Sequence, residues 1–196
     1  DSIDRSRTLL ATALSKEIPV TEIVEKAVRG GLQIVGKKYE AGEYFLSELL
    51  YAGSLMNELL DVLRPHMKGQ QFQRKGLIVL GTVRGDIHDI GKNIFKMLAE
   101  GTGFEVHDLG VDVESATFVD EAKQSAPNII GLSALLTTSL SEVKSTVDAI
   151  RMSRLHSKVL LGGNAVKKDF SDQIGADAAA LDAVEGVDMC RMWAEK

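Results

Sequence analysis

Apolar positions follow one rhythm in the first third of the chain and another in the rest. Up to about residue 67 they recur at three- and four-residue steps, the period of a helix with one buried face. Ile3, Leu9, Leu10 and Leu14 open the pattern. Pro19 with Thr21 marks a fresh helix start, because proline suits the first helical turn. Ile23, Val24, Ala27 and Val28 follow, then a predicted break at Gly30-Gly31, then Leu32, Ile34, Val35 and Tyr39. Ala41-Gly42 punctuates again before the segment Glu43 to Leu63, which ends at Pro65. Phe45, Leu46, Leu49, Leu50, Leu55, Met56, Leu59 and Leu60 supply its apolar side. The pattern predicts a four-helix bundle of short helices joined by tight glycine turns. Its default role is scaffolding, and its Tyr39, Leu46, Leu49, Leu50, Gly53 and Met56 stripe is core by default, although so small a bundle keeps a face for a partner or ligand.

Residues 68–75 are polar, charged and without apolar period, which makes them a linker between a helical domain, 1–67, and a second domain, 76–196. From there short apolar runs alternate with helical stretches. Strands are predicted at Leu77–Leu80, Phe104–Leu109, Ile129–Ser133, Lys158–Leu161 and Ala178–Leu181, and helices at about 90–101, 115–125, 140–153, 165–173 and 183–194. Such alternation implies a five-stranded parallel sheet covered on both faces. Right-handed crossovers then bring every strand-to-helix loop to one edge, where such folds bind ligands.

The most chemically loaded of those loops is Gly81-Thr-Val-Arg-Gly-Asp-Ile-His-Asp-Ile-Gly-Lys-Asn-Ile-Phe95. Asp86 and His88 are a natural pair: one imidazole nitrogen binds a metal or takes a proton while the carboxylate accepts a hydrogen bond from the other. Gly81, Gly85 and Gly91 let the backbone turn sharply or approach a ligand. The glycines do not match G-x-G-x-x-G, and no Gly-Lys-Ser/Thr follows, which speaks against a nucleotide phosphate loop. A zinc site from Asp86, His88 and Asp89 would be cramped. Taken alone, the loop is equally compatible with a functional histidine and a surface one.

Composition narrows the classes. The 196 residues allow one or two domains, and a net charge of −5 supplies no basic field for nucleic acid. The single cysteine, Cys190, excludes a disulfide framework within the chain, suits a reducing cytoplasm and reads as a small apolar residue of the last helix. No signal peptide and no apolar run near membrane-spanning length is present, so neither a membrane nor nucleic acid is an expected partner. A start at Asp1 suggests trimming or a leader upstream. His66, His107 and His156 have no site context and read as surface residues.

Three loops together resemble the cobalamin-binding family marked by D-x-H-x-x-G, then S-x-L, then G-G. Here these are Asp86-Ile-His88-Asp-Ile-Gly91, Ser133-Ala-Leu135 and Gly162-Gly163, with 41 residues between Gly91 and Ser133 and 26 between Leu135 and Gly162. Upstream, Tyr39 through Met56 resembles the helical cap of methionine synthase and of corrinoid methyl carriers. The whole chain is similar to the small corrinoid proteins of three-component methyltransferase systems, which implies a helical bundle followed by a Rossmann-like cobalamin-binding domain.

The resemblance implies cobalamin cycling between Co(I) and a methylated Co(III) state. His88 would be the lower axial cobalt ligand, Asp86 would set its tautomer, and Ser139 would extend that relay or cap its helix. Gly91, Ser133, Gly162 and Gly163 would line the path of the cofactor's nucleotide tail, with Ser133 bonding the base. Leu135, Thr137, Asp182 and Ala183 would lie near the corrin, and Gly85, Ile87, Asp89, Ile90 and Asn164 complete the loops that hold it. Tyr39 and Leu46 would cover the upper face, and Leu49, Leu50 and Met56 of the same stripe would also bind the cofactor; Tyr39 stands where a Phe is common and Ser47 where a proline often follows.

The function so implied is that of a methyl carrier, shuttling between two enzymes rather than acting alone. A donor-specific methyltransferase would load it, a second methyltransferase would pass the methyl to tetrahydrofolate or a thiol, and a reductive activase would restore it. Relatives of this design use methanol, methylamines, betaines or aryl methyl ethers, and the reading leans to methyl-ether O-demethylation or a methylamine system. The rivals are a cobalamin subunit of an adenosylcobalamin mutase, which normally lacks this cap, and a cobalamin sensor, which needs an output domain.

Overall fold

The computed structural model describes residues 2–67 and 75–195, so the predicted linker lies outside the described residues except for Lys75. The chain divides into two compact units, Asp1–Gln73 and Arg74–Lys196.

The first unit is helical: α1 (Ser2–Ser15), α2 (Val20–Glu22), a π-wound stretch (Ile23–Arg29), α3 (Gly30–Glu40), and α4 (Leu46–Leu63) running into a 3-10 turn (Arg64–Met67). The break expected at Gly30-Gly31 is not formed. Gly30 keeps right-handed helical angles, φ −59° and ψ −39°, and the winding is continuous from α2 to α3. Glycine permits a turn without requiring one, and here a locally widened helix takes its place. The turn at Ala41-Gly42 is present, with Gly42 N–H donating to Tyr39 C=O at 2.9 Å. α4 starts at Leu46, later than Glu43, because the Glu48 carboxylate reaches back to the Phe45 N–H at 3.0 Å and closes the helix start there. Leu49, Gly53, Met56 and Leu63 form the buried stripe of α4.

The second unit alternates β1 (Leu77–Thr82), α5 (Ile90–Thr102), β2 (Glu105–Asp108), α6 (Ser115–Ser125), β3 (Ile129–Ser133), a 3-10 turn (Thr137–Ser139), α7 (Leu140–Met152), β4 (Lys158–Gly162), α8 (Lys168–Ile174), β5 (Ala178–Ala180) and α9 (Ala183–Ala194). All pairings are parallel, in the order β2-β1-β3-β4-β5. The chain leaves β1 toward β2 on one side and returns to β3 on the other, which makes the β1/β3 boundary the topological switch point, the place where open α/β sheets leave a crevice.

Strand alternation sends Val79, Ile130, Leu132, Val159 and Leu161 into one layer with Phe118, Val119 and Ala122 of α6 and Val143, Val147 and Ile150 of α7. Gly81 belongs to this packing rather than to a turn: a Cβ there would stand 2.7 Å from the Phe118 ring. α5 and α9 pack together, with Gly186 admitting the Phe95 ring, which a Cβ would meet at 3.1 Å.

Candidate functional site

The loop after β1 is shaped by its own backbone. Asp86 N–H donates to Val83 C=O at 3.2 Å, and Gly85, at φ 76°, supplies the left-handed residue this turn requires. The Thr82 hydroxyl, fully buried at the end of β1, donates to His88 C=O at 3.0 Å and ties the far end of the loop to the strand.

Asp86 is only 1% exposed although it sits in this loop. Its Oδ1 accepts the His88 N–H at 3.0 Å and lies 2.7 Å from His88 Nδ1. Its Oδ2 accepts the main-chain N–H groups of Leu135 at 2.7 Å and Leu136 at 3.0 Å, in the loop after β3. One carboxylate therefore bridges the two loops that flank the switch point. Burial by itself pushes the Asp86 carboxyl up, but the amides of His88, Leu136 and Leu135 and the His88 ring outweigh it and hold it down at about 2. A carboxylate ionised at neutral pH only accepts hydrogen bonds, so Nδ1 of a neutral His88 carries the proton and Nε2 keeps its lone pair. The imidazole is half exposed, at 49%. A half-exposed imidazole held on one nitrogen and open on the other is a metal-ligand arrangement with its supporting carboxylate already in place.

Around this pair the sheet edge is apolar. Ile87, at 74%, is exposed in the β1 loop and Ile90, at 71%, at the start of α5, as are Leu135 and Leu136 after β3 and Leu181 after β5. An exposed apolar group of this kind at the ligand edge of a sheet marks a binding surface. Asp89 and Thr137 are exposed. At Gly91 and Gly162 an added Cβ would meet nothing within 4 Å, so open space lies beside the backbone at both. Gly163 differs: at φ 106° its Cβ would fall 2.2 Å from Ala134 C=O, so only glycine fits. Ser133 pairs with Gly162 at the ends of β3 and β4, and Asn164 is exposed in the loop that follows.

Several expected contacts are arranged differently. Ser139 is buried at the start of α7, yet no hydrogen bond joins its hydroxyl to Asp86 or caps the helix among the described residues. The relay stops at Asp86 because the amides of Leu135 and Leu136 take its second oxygen. Asp182 is committed as the N-cap of α9, accepting from the N–H groups of Val184 at 2.8 Å and Glu185 at 2.9 Å, with Ala183 beginning the helix. In the helical unit Leu49 and Met56 are buried, whereas Leu46 and Leu50 are exposed and Tyr39 is half-buried. His107, read as a plain surface residue, is engaged on β2: Glu121 lies 2.7 Å from Nδ1 and Glu105 3.5 Å from Nε2.

Sequence reasoning missed Lys92. It follows the motif glycine, is 4% exposed, and donates to both oxygens of Asp108 at 2.7 Å. Asp108 in turn accepts the Gly110 N–H at 3.0 Å, and burial, which pushes its carboxyl up, is outweighed by Lys92 and that amide, so it lies below the usual range. The pair locks α5 to the end of β2. A lysine in the apolar run Ile90 to Phe95 was the available signal, since such a position needs a buried counter-ion.

Family models described as B12 binding domains match residues 76–189 and residues 3–64. The dimethylamine corrinoid protein 3 of Methanosarcina acetivorans is 38% identical over 173 residues, covering 87% of this chain and 81% of that one. The crystal structure of a cobalamin-binding protein from Desulfitobacterium hafniense superposes with a TM-score of 0.83 at 37% identity, covering 97% of this chain and 92% of that one. A chain of the methanol:cobalamin methyltransferase complex of Methanosarcina barkeri superposes with a TM-score of 0.85 at 25% identity, covering 95% of this chain and 72% of that one.

The residues present fit such a cofactor. The exposed Ile87, Ile90, Leu135 and Leu136 suit a broad, largely apolar macrocycle, the half-exposed His88 offers a metal-binding nitrogen, and the open backbone at Gly91 and Gly162 leaves room for a tail. The chain thus belongs to the B12-binding corrinoid protein family.

Proposed function

We propose that this protein is the methyl carrier of a corrinoid-dependent methyltransferase system. The cobalt of a bound corrinoid supplies a centre that accepts a methyl group and gives it up again. This chain's residues hold and tune that centre. His88 would hold the cobalt through Nε2, the ring nitrogen that Asp86 leaves free. Asp86, fixed by the Leu135 and Leu136 amides, keeps the proton on Nδ1 and prevents the ring from turning away. Ile87, Ile90, Leu135 and Leu136 would exclude water beside the corrin, Thr137, Asp182 and Ala183 would border it, and Gly91, Ser133, Gly162, Gly163 and Asn164 would receive the tail. Within the helical unit, the exposed Leu46 and Leu50 and the half-buried Tyr39 offer apolar surface for a ligand.

The observation that carries this reading is the Asp86–His88 pair at 2.7 Å, with the carboxylate buried and the ring half exposed. Match of a B12 binding domain to residues 3–64 as well favours a capped carrier over a mutase subunit. A donor-specific methyltransferase loads the carrier, and a second methyltransferase moves the methyl to tetrahydrofolate or a thiol; a reductive activase recovers oxidised carrier. The likeness to a dimethylamine corrinoid protein supports a methylamine as the donor over methanol or a methyl ether. A reducing cytoplasm is the compartment this reading assumes.

Reconstitution with hydroxocobalamin tests it. Wild-type protein is expected to bind the cofactor with its own benzimidazole displaced and to show a histidine-ligated spectrum, and His88→Ala to lose that spectrum and bind more weakly. A spectrum unchanged by His88→Ala would remove His88 as the ligand.

A further inference from the structure

A second loop grips the Asp86–His88 segment. Pairing of β1 with β2 continues past the strand ends as a parallel bridge between Val83 and Val113, with Val113 N–H donating to Thr82 C=O at 3.0 Å. Between β2 and α6, Asp112 makes two hydrogen bonds that bracket Asp86. Its Oδ1 accepts the Gly85 N–H at 2.7 Å, and its own N–H donates to Asp86 C=O at 3.0 Å. Arg84 and Glu114 form an ion pair at 3.1 Å between the same two loops.

Asp112 adopts φ 54° to make both contacts. That left-handed conformation is disfavoured for residues with a Cβ and is tolerated best by Asn and Asp. Asp112 is exposed, so core packing does not explain why the backbone is held there. What the conformation achieves is a simultaneous hold on the amide before Asp86 and the carbonyl of Asp86 itself.

We propose that Asp112 is a positioning residue for His88, acting through Asp86. The inference rests on the reading of His88 as the cofactor ligand. With Gly85 N–H and Asp86 C=O both fixed, the Asp86 side chain leaves the backbone in one direction. Its Oδ1 is then aimed at the His88 ring and its Oδ2 at the Leu135 and Leu136 amides. Releasing the bracket lets Asp86 drift, and the imidazole loses the acceptor that sets its tautomer.

Two substitutions separate the acceptor from the backbone conformation. Asp112→Asn keeps an acceptor oxygen and tolerates the left-handed angle. Asp112→Gly relaxes the angle, so folding is retained, but removes the acceptor. In the cofactor-free full chain, long-range proton–nitrogen NMR reads the protonated nitrogen of His88 and the exchange rate of its Nδ1 proton. After loading with hydroxocobalamin, the absorption spectrum reads the histidine-ligated fraction. Asp112→Gly is expected to exchange that proton about tenfold faster, the loss of one hydrogen bond, and to lower the ligated fraction. Asp112→Asn is expected to behave as wild type in both. Wild-type ring signals and ligation in Asp112→Gly would overturn the proposal, and so would an Asp112→Asn protein as impaired as Asp112→Gly. Wild-type protein that took up cobalamin without histidine ligation would remove the proposed function, while the NMR comparison would still decide what Asp112 does.

Discussion

Asp86 Oδ2 accepts the Leu135 amide at 2.7 Å across 49 residues of sequence. That hydrogen bond joins the β1 loop to the β3 loop at the switch point of the sheet. It makes the support of His88 a property of two strands rather than of one turn, and it exposes the site to any change that moves either loop.

Replacing that carboxylate has a calculable effect on the cofactor-free protein. Asp86 lies at about 2 against an ordinary 3.8, a difference worth about 2 kcal/mol for so buried a group. Its folded value is depressed, so the contribution is present above pH 3.8 and is lost as pH falls toward 2. Asp86→Asn is expected to lower unfolding stability by about 2 kcal/mol at pH 7 and to flatten the stability loss between pH 4 and pH 2. Urea unfolding at several pH values measures both. Equal acid limbs for the two proteins would show that other carboxylates carry the dependence.

Gly163→Ala tests the tightest point of the cradle. The new Cβ would lie 2.2 Å from Ala134 C=O at a backbone φ of 106°, and a main-chain neighbour cannot swing aside as a side-chain tip can. A loss of about 2 kcal/mol or more in unfolding stability is expected, with weaker cobalamin binding. Gly162→Ala, with nothing within 4 Å of the added Cβ, is expected to leave stability nearly unchanged while still crowding the tail.

His107 titrates on the edge strand. The hydrogen bond to Glu121 raises it above 6.5; burial opposes that rise, and Glu105 adds to it. Stabilisation from this cluster is fully present below pH 6.5 and fades as pH rises through the higher folded value. NMR titration of the imidazole is expected to give a midpoint above 6.5 that Glu121→Gln brings down. An unmoved midpoint in Glu121→Gln would assign the effect to Glu105.

Cys190 is expected to be silent toward thiol reagents. It is fully buried in α9, and burial pushes its thiol up to about 12. Ellman's reagent should label it slowly in native protein and at once in urea. Rapid labelling without denaturant would show that α9 opens readily from the sheet.

The sequence by itself determined the order of elements and the carboxylate–imidazole pair of the first loop. Helical period to Leu63 followed by apolar runs alternating with helices is a local property, set by which residues each element must bury, and it located all five strands to within a residue or two. The Asp86–His88 pair was equally legible, because two residues apart in one loop is close enough for a carboxylate and an imidazole to meet without help from the rest of the chain. Tertiary structure decided what holds that pair. The Leu135 and Leu136 amides, the Asp112 bracket and the Lys92–Asp108 lock come from elements distant in sequence, and they meet only because the strand order places β2 and β3 on either side of β1. The same holds for glycines. Gly81 and Gly30 looked like turns, but one proved to be room for the Phe118 ring and the other a helical residue. A residue without a side chain states only that something is permitted, and its neighbours in space settle what is done with it.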